Sequence, residues 1–205
     1  MRVGLIVEGN TDFETLKAVI ECRNPAARVT LIHPKRDESG RTSGTAGWSG
    51  VQKYIQLKGW GLANLKKSGW HCIFIQVDAD VAGGNCQEDA STQWSKAEAQ
   101  LRAWAGLSEW PQGIHPVIPV MCLETWIGAA TQKFKGRNPQ MECLPCAQVM
   151  TGILDETERK AMRRKDTGFY KQHLAPRVAE CWQQVTLYCP VGAGRFEQVL
   201  QACGL

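Results

Sequence analysis

Residues Ile73-Phe74-Ile75-Gln76-Val77-Asp78-Ala79-Asp80 constrain the fold of this chain more than any other stretch. A short apolar run rich in β-branched and aromatic residues is how a strand buried inside a parallel sheet reads. It stops abruptly at two carboxylates. Ligands of open α/β sheets bind beyond the carboxyl ends of the strands, so Asp78 and Asp80 fall where such a protein does its chemistry. If the segment stays extended, their i, i+2 spacing turns both side chains roughly the same way. Two carboxylates so placed repel, and a shared proton or a divalent cation must neutralise them. The competing reading is a polar strand-to-helix turn with an aspartate as helix N-cap.

A second run, Arg2-Val3-Gly4-Leu5-Ile6-Val7, ends in Glu8-Gly9-Asn10-Thr11-Asp12. Gly9 permits a tight turn. Thr11 or Asp12 is placed to cap the helix that follows, and Glu14 stands at capping-box spacing from Thr11. If the two strands are neighbours, Glu8, Asp78 and Asp80 converge on one acidic pocket. Three hard oxygen ligands suit Mg²⁺ or Mn²⁺, with waters and a phosphate completing the octahedron.

The pair of motifs, Glu8-Gly9-Asn10-Thr11-Asp12 and Asp78-Ala79-Asp80, resembles the TOPRIM domain over roughly the first 130 residues. It is similar in particular to the small single-domain TOPRIM-like proteins of bacteria and phage-defence islands. Some of these carry a Leu-Glu-x-Trp segment after the next strand, here Leu123-Glu124-Thr125-Trp126. The resemblance implies Glu8 as acid/base or metal ligand and Asp78 and Asp80 as metal ligands. Glu124 follows the fourth strand, Ile114 to Met121, and can approach the same edge; plain helix capping is the alternative for it. The implied activity is Mg²⁺- or Mn²⁺-dependent hydrolysis of phosphodiesters in DNA or RNA, as effector of a bacterial defence system. The alternative is a non-catalytic or regulatory module working with a partner such as an ATPase. A topoisomerase or primase is disfavoured, because the gate and template-binding domains are missing.

The alternation of strand and helix signals predicts an α/β fold: a mostly parallel central sheet with helices on both faces and a helical C-terminal extension. Residues 1–131 read as the catalytic core and 132–205 as a mainly helical, basic extension packed on it. An apolar fraction of 43% is ample for a core. No stretch has the length of apolar sequence that a membrane span needs, and the N-terminal run is too short for a signal peptide, so a soluble cytoplasmic protein is expected. Reduced thiols are expected there, with Cys72, Cys122 and Cys189 as small core residues. Cys143-Leu144-Pro145-Cys146 leaves a zinc reading open.

The net charge of +4 excludes a histone-like chain but leaves local basic patches. Lys35, Arg36 and Arg41 lie on a long polar stretch from His33 to Ser49, read as a surface loop. Arg163, Arg164, Lys165 and Lys171 belong to the charged helices near the C-terminus. Both groups are candidates for a nucleic-acid backbone; a solvated surface is the alternative. Ser91 or Thr92 is read as the cap of a helix running to Ala105. Gly168 to Gln184 is read as a helix kinked at Pro176, and Val185 to Cys189 as a last short strand.

Overall fold

A computed structural model describes residues 1–36, 42–43, 45–83, 88–131 and 141–205, with side chains for all of these except residues 36, 42, 43, 58–61, 63–67, 143 and 150. Strands β1 (Arg2–Ile6) and β2 (Arg28–His33) are joined by helix α1 (Asn10–Arg23). A short antiparallel ribbon, β3 (Lys35–Arg36) with β4 (Thr42–Ser43), follows the cis peptide bond His33-Pro34. Part of the expected loop is therefore paired backbone. Helix α2 (Trp48–Lys67) leads to β5 (Cys72–Gln76), helix α3 (Ala90–Ala105) to β6 (Ile114–Val117), and β6 to α4 (Glu124–Ala129). The C-terminal region holds α5 (Cys146–Gly152), α6 (Glu156–Arg163), α7 (Thr167–Phe169), a π-helical turn (Tyr170–Leu174), α8 (Ala175–Glu180), α9 (Trp182–Tyr188) and α10 (Gly192–Ala202).

The four main strands form a sheet in the order β2-β1-β5-β6, parallel throughout, so the chain has the α/β architecture expected of it. Side chains alternate across the sheet as the period of two demands. Val3, Leu5, Cys72 and Phe74 face one hydrophobic cluster; Ile6, Ile73, Ile75 and Val77 face the other. Helix α1 packs on the first face through Leu16, Val19 and Ile20, while α2 and α3 cover the second through Val51, Ile55, Ala97 and Leu101. The chain thus leaves β1 towards β2 on one face and returns to β5 over the other. The strand order reverses between β1 and β5, which is where open α/β sheets bind ligands.

The C-terminal helices share the first cluster. Phe74 on β5 meets Phe196 on α10 edge-on at 5.3 Å, and Trp126 on α4 meets Trp182 on α9 edge-on at 5.4 Å. Each such pair adds about 0.5–1.5 kcal/mol beyond the area it buries. The boundary expected near residue 132 lies outside the described residues. Pro176 acts through its missing N–H and its ring, which cannot meet the carbonyl four residues back; the preceding turn widens to a π turn rather than breaking.

Four local expectations are corrected. Val185 to Cys189 is not a strand: α9 runs from Trp182 to Tyr188, and its buried face packs on the apolar cluster, which overrides the β-branched composition. Helix α3 is capped by Asp89, whose carboxylate accepts the Thr92 N–H at 3.0 Å, not by Ser91 or Thr92. Helix α1 has Gly9 as N-cap with no side-chain capping bond, so neither Thr11 nor Asp12 caps it. Cys122 is bonded to Cys146 by a disulfide, so Cys122 is not a reduced core thiol and the Cys146 sulfur is not free to ligate zinc with Cys143.

Candidate functional site

Glu8 and Asp78 meet at the carboxyl ends of the paired strands β1 and β5. A fully buried Gln76, the last residue of β5, holds them in place. Its side-chain oxygen accepts the Glu8 N–H at 3.2 Å, and its Nε2 donates to Asp78 Oδ1 at 3.1 Å. The Asp78 N–H donates in turn to Glu8 Oε1 at 2.9 Å. A buried glutamine on a core strand must satisfy both ends of its amide, and here it does so by bridging the two acids. The polar residue in an otherwise apolar run was the available sign of this role, and sequence reasoning passed over it.

Asp80 is not a twin of Asp78. Extended backbone ends at Asp78, and Ala79–Ala82 forms a 3₁₀ turn, so the i, i+2 argument lapses. Asp80 is exposed, and the charge that acts on it most is that of Glu124 rather than Asp78. Glu124 opens α4 and places Oε1 3.3 Å from the Lys165 ammonium. Helix capping does not account for it, because Leu123 is the N-cap residue and no side-chain cap bond is made.

The structure adds three residues that sequence reasoning placed elsewhere or left out. Asp12 sits in the first turn of α1, takes a backbone hydrogen bond from Gly9 and lines the same cavity as Glu8. Lys165, counted with the surface basic residues, has φ of +49°, a conformation uncommon for a side chain with a Cβ. That bend follows α6 and brings the ammonium to Glu124. Tyr170, in the π turn, is 1% exposed, and its hydroxyl has no hydrogen-bond partner among the described residues.

The electrostatics are those of uncompensated negative charge. Burial, with repulsion from Asp80, pushes Glu8 up to about 7 against the pull of the Asp78 N–H and Lys165. Burial and the charges of Glu124 and Glu8 push Asp12 up to about 7 as well. Asp78 is raised by burial and then by Glu8, Glu124, Asp12 and Asp80. Burial raises Tyr170 too, reinforced by Glu124, Asp12 and Asp78. Desolvation works against the charge on Lys165, but Glu124, Asp12 and Asp78 outweigh it and raise its affinity for the proton. A cavity of about 320 Å³ opens on this cluster, bounded by residues 8–12, Ala46, Gly47, Asp78, Lys165 and Thr167.

The donors are of the kind that Mg²⁺ or Mn²⁺ prefers. Among the described residues, however, no group of three or more His, Cys, Asp or Glu side chains is placed to hold an ion as it stands. Glu8 Oε1 is spent on the Asp78 N–H, and Asp80 lies out on its turn. The chemistry of the set fits a hard cation; its present arrangement is not a coordination shell.

Of the basic candidates whose side chains are described, only Lys165 belongs to the cavity. Lys35 is exposed on β3; Arg163, Arg164 and Lys171 are exposed at the end of α6 and on the π turn. Arg36 has only its backbone described, and Arg41 lies outside the described residues. No described helix is long and apolar enough to cross a membrane. No protein-family model, curated protein or solved structure matches this chain.

Proposed function

We propose that this chain is a divalent-metal-dependent phosphodiesterase that cuts nucleic acid, DNA or RNA, at the carboxyl edge of its sheet. The observation that carries the reading is the set Glu8, Asp12, Asp78, Asp80 and Glu124, which act on one another electrostatically with Lys165 as the cation among them. A polyanionic substrate is repelled by such an edge unless cations intervene. Glu8, Asp78 and Asp80 are the residues that would hold Mg²⁺ or Mn²⁺, which when bound supplies Lewis acidity and an activated water. The chain provides the rest. The first turn of α1 borders the cavity, and the N–H groups at a helix start attract phosphate oxygens. Asp12, held at about 7, suits an acid/base working near neutrality. Lys165 offers positive charge to a phosphate or a leaving oxygen.

The test is incubation of the whole protein with labelled DNA and RNA pools, with and without Mn²⁺, beside Asp78→Ala. Cleavage is expected only with Mn²⁺ and only in wild type. One observation favours a second reading, a regulatory module acting with a partner such as an ATPase: the acids are not gathered around an ion position. Mn²⁺ binding by calorimetry without cleavage of either pool supports that module, and neither binding nor cleavage removes the metal from both readings.

A further inference from the structure

The amino edge of the same sheet carries a second cluster. Cys72 opens β5 and is 1% exposed. His115 on β6 pairs with Phe74, so it shares a face with Cys72, two residues before Phe74. Helix α10 crosses that face and ends at Cys203. The Cys203 sulfur lies 3.5 Å from His115 Nε2 and accepts a hydrogen bond from the Cys72 thiol. His71 Nε2 meets the Cys203 carbonyl oxygen at 2.7 Å, which pins the end of the helix to the start of β5. A cavity of about 430 Å³ opens over the group, between Trp70, His71, Gln112, His115 and Cys203.

We propose that Cys203 and Cys72 form a peroxide-reactive dithiol, with Cys203 as the attacking sulfur, Cys72 as the resolving sulfur and His115 as the residue that orients the thiolate. Cys203 is half-buried at the cavity, where a small oxidant reaches it; Cys72 lies behind it, in contact and shielded. Reactive cysteines sit in such partly exposed, electropositive surroundings. The hydrogen bond from Cys72, opposed by burial and helped by the hydrogen bond and charge of His115 and the charge of His71, lowers the Cys203 thiol to about 5. Among the described residues, no acidic side chain lines this cavity to oppose the lowering.

The chemistry balances as follows. The Cys203 thiolate attacks one oxygen of hydrogen peroxide, the O–O bond breaks, and sulfur is oxidised to the sulfenic acid. The departing hydroxide takes up the proton that Cys203 had released and becomes water. The Cys72 thiol then attacks that sulfur, the S–O bond breaks, and a second water leaves carrying the Cys72 proton. Two thiols become one disulfide, and one peroxide becomes two waters.

The test uses the whole chain, freshly reduced. Alkylation by iodoacetamide at pH 6, followed cysteine by cysteine by mass spectrometry, compares Cys203 with Cys22, an exposed free cysteine of the same molecule. At that pH an ordinary thiol is ionised to only about a few parts in a thousand, while a thiol near 5 is almost fully ionised; its lower nucleophilicity returns part of the gain and leaves an advantage of roughly tenfold. Peroxide followed by non-reducing peptide mapping is expected to give a Cys72–Cys203 link. Cys72→Ser is expected to leave Cys203 as a sulfenic acid that dimedone traps, and His115→Gln to slow Cys203 alone. Cys203 alkylated no faster than Cys22 at pH 6, or a peroxide-induced link from Cys203 to any other cysteine, overturns the proposal.

Discussion

Strand β5 begins with Cys72 at one edge of the sheet and leads into Asp78 at the other, and the two ends balance charge in opposite ways. At the carboxyl edge, strand ends and a helix start gather acids with Lys165 as their cation, so Glu8 and Asp12 are pushed up to about 7. At the amino edge, two imidazoles and a thiol surround Cys203, and it is pulled down to about 5. The first region holds more acids than Lys165 balances, and among the described residues no acidic side chain lines the cavity of the second. An acid cluster short of cations draws on protons or metal from solution, whereas a thiolate already compensated by its neighbours is ready to react.

The largest effect that separates the two edges is catalytic. Asp78→Asn is expected to lower Mn²⁺-dependent cleavage by about a thousandfold or more, since it removes a ligand to the proposed ion. Cys203→Ser, at the other edge of the sheet, is expected to leave cleavage unchanged. Equal losses in the two variants would mean that the edges are not separate sites. Next in size, Glu124→Gln is expected to reduce turnover by on the order of a hundredfold with little change in melting temperature. Unchanged turnover in the folded variant would remove Glu124 from the chemistry.

The metal-free protein gives a thermal test. Glu8 and Asp12 bind protons more tightly folded than unfolded, so the stability they contribute is fully present below about 4.5 and 3.8 and is lost as pH rises through about 7. With EDTA present, the melting temperature is expected to fall between pH 5 and pH 8, by about 2–4 °C for each kcal/mol involved. Asp78→Asn is expected to flatten that slope, because Asp78, itself raised by burial and then by Glu8, Glu124, Asp12 and Asp80, no longer titrates; Cys203→Ser is not. A slope of the same steepness in Asp78→Asn would show that the acids do not repel as described. The smallest effect concerns Lys165. Its side chain is 64% exposed, so solvent screens its pairing with Glu124 and Lys165→Met is expected to cost under about 1 kcal/mol of stability at pH 8. A chemical denaturation midpoint measured on both proteins decides this.

Much of the carboxyl edge could be read in the chain itself. Val3 to Val7 and Ile73 to Val77 are runs that only a buried strand accommodates, and both stop at acids. Two strands that must be parallel place those acids at one edge, so Glu8 and Asp78 meet as the motifs required. Asp12 was visible but taken for a cap, because capping is the commoner use of an acid in a first turn. The turn that carries Asp80 away from Asp78 was missed, because the residue at which extended backbone gives way to a 3₁₀ turn leaves no periodic trace. The strand expected at Val185 to Cys189 failed for a related reason: its apolar residues satisfy either period, and the cluster under α9 selects the helix.

The sequence by itself determined the layers of the main sheet: its four strands, a mostly parallel order, and two acids that end strands of that sheet. These follow from hydrophobic periodicity and strand-end composition, which act over a few residues at a time. Only the tertiary structure decided what joins them. Lys165 reaches Glu124 across 41 positions, Gln76 ties Glu8 to Asp78, and Cys203 comes to His115 across 88 positions. Contacts of that range depend on how α6, the π turn and α10 seat on the sheet, which is set by side-chain packing in three dimensions and has no period along the chain.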